Sequence, residues 1–174
     1  MSSTAWLILT IVGAVGSAAC LYGFYGDRKR GYPALKALDS QFELPDMRRS
    51  YPPEELFDCF EKVGPEGQKL LCRLWRLDSV FALFLALVLA VVSHNLAAFR
   101  WLRWVMYGLA ALRSLLDLLE NALLWKVCAA YPTRRRTGAA KAASRCTTAK
   151  WAAAVVWVAG MFGALLVRAY VLGK

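Results

Sequence analysis

Histidine is nearly absent: His94 is the sole one in 174 residues, so paired-histidine ligation of a haem within this chain is excluded. The five cysteines (Cys20, Cys59, Cys72, Cys128 and Cys146) form no C-x-x-C pair and have no histidine at a zinc spacing, so no metal site is expected from them. Acids are scarce as well. Twelve Asp and Glu face 22 Lys and Arg, a net charge of +10, and residues 126–150 contain no acid at all. There is no phosphate-binding loop, redox motif or evident nucleophile–base pair, and no period-two alternation that would mark strands. The first residues carry no basic n-region. Their apolar run is about 20 residues, against the roughly 7–15 of a signal peptide, and no Arg/Ser-rich transit peptide is visible, so a retained helix is expected there.

What the chain has in abundance is apolar length. It is 59% hydrophobic with a mean hydropathy of +0.41, outside ordinary soluble usage. Spans are read at about 5–24, 77–99, 104–130 and 151–172, each near the ~20 residues that a helix needs to cross a bilayer. Trp6, Trp101, Trp104 and Tyr170 flank one set of ends, and Tyr22, Tyr25, Trp75, Trp125, Tyr131 and Trp151 the other, as interfacial belts do. The expected fold is an all-α membrane protein: one domain over residues 1–174, a four-transmembrane-helix bundle with a short amphipathic helical segment between spans 1 and 2.

Charge placement orients this bundle. Lys126, Arg134, Arg135, Arg136, Lys141, Arg145 and Lys150 fall in one connection, and Arg28, Lys29, Arg30, Arg73 and Arg76 in the other long one. The positive-inside rule puts both long loops on the cytoplasmic or matrix side. Arg134, Arg135, Arg136, Lys141 and Lys150 are expected to contact anionic lipid, with a bound phospholipid such as cardiolipin as the conceivable ligand; nucleic acid is disfavoured beside a span. No cofactor is expected. On a reducing face the cysteines read as free thiols.

Residues 26–76 are the extramembrane part. Leu35, Leu38 and Phe42 suggest a short helix ended by Pro45. Ser50-Tyr-Pro-Pro-Glu54-Glu55 reads as a helix start, because proline fits the first turn and acids favour the positive dipole end. Leu56, Phe57, Phe60 and Val63 make its apolar side, for the membrane surface or for the bundle, and Gly64-Pro65 stops it. A further helix is expected from near Glu66 into the second span. Gly13-x-x-x-Ser17 and Ala14-x-x-x-Ala18 in span 1, with Ala159-x-x-x-Gly163 and Gly160-x-x-x-Ala164 in span 4, are small-residue faces for close helix packing, inside the bundle or against other membrane subunits.

The most informative stretch is Arg113-Ser-Leu-Leu-Asp117-Leu-Leu-Glu120-Asn121. Steps of three and four put Arg113, Asp117, Glu120 and Asn121 on one helical face. At membrane depth each ionisable group costs about 2.5–3.5 kcal/mol on the insertion scale, so the stripe should face protein or trapped water. Asp78, at the head of span 2, is expected at a depth comparable to Trp125, about one turn from Asn121 and Glu120. The candidate polar network is thus Asp78, Arg113, Asp117, Glu120 and Asn121. It reads either as glue between helices or as a pocket for a proton, a lipid headgroup or a sterol-like molecule. No residue is assigned as catalytic or metal-binding.

The order Tyr51-Pro-Pro-Glu-Glu, Gly64-x-x-Gly67, Asp78, then Asp117-x-x-Glu120-Asn121 resembles an uncharacterised family of small four-span membrane proteins with an intramembrane D-x-x-E-N motif, over roughly residues 50–125. The resemblance implies the four-span fold and the polar stripe, and no chemistry. By residue type the Asp/Glu/Asn set also resembles sterol-isomerase-like four-helix proteins, whose bundle encloses an acidic pocket.

Function is expected along one of two lines. The first is a non-catalytic accessory subunit of a larger membrane complex, in the respiratory chain or ATP synthase of the mitochondrial inner membrane, with the endoplasmic reticulum as the alternative location. The second is a lipid- or sterol-binding or isomerising protein in which Glu120 exchanges a proton. A channel ranks last, since only the third span carries a polar stripe.

Overall fold

The computed structural model describes residues 3–97 and 99–172, and among them there is no strand. Helix α1 is Ser3–Leu21, closed by a π-type turn over Tyr22–Gly26; α2 is Tyr32–Leu38; a 3-10 turn covers Pro45–Met47; α3 is Pro53–Leu96, α4 Arg100–Ala130 and α5 Thr137–Leu172.

Three of these elements are long and apolar enough to cross a membrane: Ser3–Gly26, Pro53–Leu96 and Thr137–Tyr170. The chain is consistent with a multi-pass integral membrane protein. Helix α4, expected as the third span, is not among the three. Its 31 residues suffice in length, but Arg100, Arg103, Arg113, Asp117, Glu120 and Lys126 lower its apolar character.

Helix α3 begins at Pro53 with Glu54 and Glu55 in its first turn, and bends at Gly64, whose φ of +63° and ψ of −171° belong to backbone that only glycine adopts readily. Pro65 starts the second limb. Leu56, Phe57, Phe60 and Val63 on the first limb are all buried in the main core, so this amphipathic segment lies on the bundle. There it packs against Leu71, Leu74 and Trp75 of the second limb, Leu124, Val127 and Cys128 of α4, and Ala140 and Ala143 of α5. A smaller core at the opposite end holds Met106, Ala110, Trp157, Met161 and Ala164.

Consecutive long helices run antiparallel. Gly13 and Gly16 of α1, and Gly23 of the turn that closes it, approach Val88, Phe84 and Leu77 of α3 in reverse order. Across α3 and α4, Asp78 meets Asn121 and His94 meets Tyr107. Across α4 and α5, Asp117 meets Lys150 while Met106 lies against Gly160. The small residues Gly13, Gly16 and Gly160 are therefore occupied inside this chain. A Cβ at Gly16 would lie 2.4 Å from the Phe84 ring, and one at Gly160 2.6 Å from the Met106 methyl.

The largest departure from the sequence reading is the start of α5. Residues 137–150 were expected to be connection, with the helix opening at Trp151. Instead the helix opens at Thr137. Ala140, Ala143, Ser144, Thr147 and Lys150 recur every three or four residues and are buried, while Lys141 and Arg145 between them stay exposed. Ser144 Oγ also accepts the Tyr51 backbone N–H at 3.0 Å, which ties the extramembrane segment to this helix.

Candidate functional site

The polar stripe of α4 faces inward. Asp117, Glu120 and Asn121 are 1%, 0% and 2% exposed, whereas Leu115 and Leu119 on the other face are 64% and 51% exposed. A charge buried so deeply must be paired and hydrogen-bonded. The partner comes from α5: Lys150 Nζ lies 2.6 Å from Asp117 Oδ1 and 2.6 Å from Glu120 Oε2. Thr147, one turn earlier on α5, donates to Glu120 Oε1 at 2.5 Å. Arg113 approaches the other Asp117 oxygen at 3.3 Å along its own helix. Asp78 of α3 accepts a 2.8 Å bond from Asn121 Nδ2.

The five expected network residues lie on α3 and α4 and face the same interior, and Lys150 and Thr147 join α5 to them. Lys150 does not sit with the basic rim in which it was placed. It is 5% exposed and held by two carboxylates, because the helical start of α5 turns it inward. In the rim itself Arg134 and Lys141 are exposed, Arg135 pairs with Glu61 at 2.6 Å, and Arg136 is half-buried.

Thr147, Lys150 and Asp46 are the site residues that the sequence reading missed. The first two carry a signal: the small-residue repeat Ala140, Ala143, Ser144, Thr147 puts Lys150 in register as its next member. Asp46 carries none, since it sits in the short 3-10 turn of an irregular stretch. Its residue is 5% exposed and its Oδ1 has no hydrogen-bond partner. Burial pushes its carboxyl above the ordinary range, the nearby Lys150 pulls it down, and the Asp117 charge adds to the rise.

Beside the network opens a cleft of about 240 Å³. Asp46, Asp78, Asp117, Arg113 and Lys150 give it a polar lining, and Phe24, Tyr25, Phe81 and Trp151 an aromatic one. Glu120 is not among its lining residues. A larger groove of about 730 Å³, lined by Trp151, Val155 and Val156, shares Met47 and Trp151 with the cleft.

His94 stands at the other end, stacked on Trp6 at 3.8 Å with Nδ1 2.9 Å from the Tyr107 hydroxyl. Among the described residues no group of three or more His, Cys, Asp and Glu side chains is placed to hold a metal ion, and the cysteines are free thiols. The chain matches no family model, no curated protein and no solved structure.

Proposed function

We propose that the chain is a four-span, non-catalytic accessory subunit of a larger membrane complex, in the respiratory chain or ATP synthase of the mitochondrial inner membrane. The observation that carries this reading is the commitment of the buried charges to one another. Asp117 and Glu120 are both held by Lys150, an arrangement that joins helices and commits both carboxylates to ion pairs within the bundle. The inward turn of the α4 stripe supports α4 as the remaining span, since its outward face is Leu112, Leu115 and Leu119. Large apolar side chains on the bundle exterior, Val15, Phe162 and Leu166 among them, suit lipid or neighbouring subunits equally. The mitochondrial placement rests on the basic connections, which suit an endoplasmic-reticulum protein too; anionic phospholipid would lie against Arg134 and Lys141.

Native electrophoresis of mildly solubilised membranes, with the chain located by mass spectrometry, tests the reading. Comigration with a large assembly is expected, and migration near its own 19.3 kDa plus detergent would count against it. Tags at the two ends test the span number: four crossings leave both on the same side, three leave them on opposite sides.

A second reading, a lipid- or sterol-binding protein, is favoured by the cleft. Its volume suits a headgroup, and the adjoining groove suits an apolar body. An isomerising role through Glu120 draws no support from its burial beneath Lys150 and Thr147. Asp46 and Asp78 are the acids that line the opening.

A further inference from the structure

The cluster beside the cleft is short of positive charge. Asp46, Asp78, Asp117 and Glu120 bring carboxyl groups to it, and Arg113 and Lys150 bring the cations. Both cations are engaged: Lys150 by Asp117 and Glu120, and Arg113 by Asp117. Among the described residues no cation lies within ion-pair distance of Asp46 or Asp78. Asp78 takes a hydrogen bond from Asn121, and Asp46 Oδ1 takes none although its residue is 5% exposed. Both acids line the opening, and four aromatic rings line it with them.

Carboxylates without a counter-cation, set among aromatic faces, are the environment that recognises an organic ammonium group. The carboxyl groups supply charge once a cation arrives, Asp46 then releasing to solvent the proton that burial lets it keep in the empty cleft, and the rings supply cation–π attraction that tolerates a bulky, weakly hydrated head. An anionic head would meet Asp46, Asp78 and Asp117, and the two cations that line the cleft, Arg113 and Lys150, are already paired to Asp117 and Glu120. The groove that continues from Met47 and Trp151, apolar along Ala152, Val155 and Val156 with Arg49 and Thr148 beside them, then holds the rest of the ligand.

We infer that the cleft binds the cationic head of an amphiphile, a quaternary or protonated amine, with its apolar tail in the adjoining groove. This deepens the lipid-binding reading and rests on it. The head sits between Asp46 and Asp78, Tyr25 and Trp151 flank it, and Lys150 stays bound to its own carboxylates.

The test is native mass spectrometry of the full chain released from dodecyl maltoside micelles. The probes are dodecyltrimethylammonium, tetramethylammonium, dodecanoate and phosphatidylcholine. A one-to-one adduct with dodecyltrimethylammonium is expected, with occupancy falling roughly tenfold or more in Asp78→Asn and in Asp46→Asn, as the loss of a charged partner implies. Met47→Trp, which fills the mouth without touching the charges, should abolish the adduct in a chain that folds normally. An equal adduct with phosphatidylcholine identifies a lipid headgroup as the source of the ammonium, and one confined to the single-chain amine identifies a free amphiphile. Tetramethylammonium should need far higher concentration, because it lacks the tail. If dodecanoate binds as well as the ammonium and Met47→Trp abolishes both, the inference falls while the lipid-binding reading stands. If no probe gives an adduct, both fall.

Discussion

Lys150 of α5 lies 2.6 Å from Asp117 of α4, with the two side chains 7% and 2% exposed. The same ammonium lies 2.6 Å from Glu120, one turn further along α4. One cation therefore locks two carboxylates of a neighbouring helix at the level where Asp78 of α3 also joins. Lys150 thus carries the charge pairing between α4 and α5, beside the Thr147–Glu120 hydrogen bond and the apolar contacts of the two cores.

Lys150→Met is accordingly expected to be severe. It leaves two buried carboxylates with no counter-charge beyond Arg113, a loss of about 3–5 kcal/mol by analogy with other broken buried pairs. Adding Asp117→Leu and Glu120→Gln to the same chain should recover much of that loss, because neither carboxylate is then stranded and only Arg113, its side chain 16% exposed, loses its partner. Unfolding from mixed micelles by increasing dodecyl sulfate reads both. A triple variant as unstable as the single one would show that packing, and not charge, is what Lys150 supplies.

The seam between α1 and α3 tolerates no side chain at Gly16, where a Cβ meets the Phe84 ring at 2.4 Å, whereas Gly163 of α5 has nothing within 4 Å. Gly16→Leu should cost at least the ~1–3 kcal/mol typical of overpacking and loosen α1, visible as faster proteolysis of the first connection. Gly163→Leu should leave the isolated chain within about 0.5 kcal/mol of its parent. If Gly163→Leu instead releases the chain from a native assembly, that open face is where a neighbouring subunit packs.

At Gly64 the constraint is backbone and not space, for no atom lies within 4 Å of a Cβ there. Gly64→Ala should lower stability by about 1–3 kcal/mol, the usual cost of a side chain in that conformation. The loss should appear first in the Pro53–Val63 limb, as faster amide exchange around Phe57 and Phe60.

Asp46 predicts a pH signature. Its carboxyl is held above the ordinary value of 3.8 by burial, so the folded chain keeps that proton where the unfolded chain has lost it. The stabilising contribution is then complete below the ordinary aspartate range and is lost as pH rises through the elevated value. Asp46→Asn should therefore gain on the parent at neutral pH, and the gain should shrink as pH falls toward 4. Melting the two chains side by side from pH 4 to 8 checks it; a constant offset would mean that Asp46 titrates alike folded and unfolded.

Much of the helical order was legible in residue pattern. The Pro-Pro-Glu-Glu start, the Gly64-Pro65 break and the inward stripe of α4 each follow from local rules: proline in a first turn, glycine at positive φ, and charged residues recurring at three and four. The approach of Asp78 to Asn121 was legible to within a turn, from the short connection between α3 and α4, and the structure closes that turn into a direct hydrogen bond. The start of α5 was less legible, because Lys141, Arg145 and Lys150 read as one basic patch when counted by composition. Placed on a helical repeat, Lys141 and Arg145 fall outside and Lys150 falls inside.

The sequence by itself determined where the helices lie apart from the first turns of α5, which of their faces are apolar, and that the α4 charges need an interior. Those are local properties, set by periodicity and by the cost of a charge in an apolar medium. Only the tertiary structure decided what meets those charges. Lys150 and Thr147 lie about 30 residues along the chain from Asp117 and Glu120, with separations of 33 and 27, and Asp46 arrives from a turn with no pattern of its own. Which cation is spent on which carboxylate, and which carboxylates are left facing a cleft, depends on how helices dock, and docking has no counterpart in the spacing of neighbours.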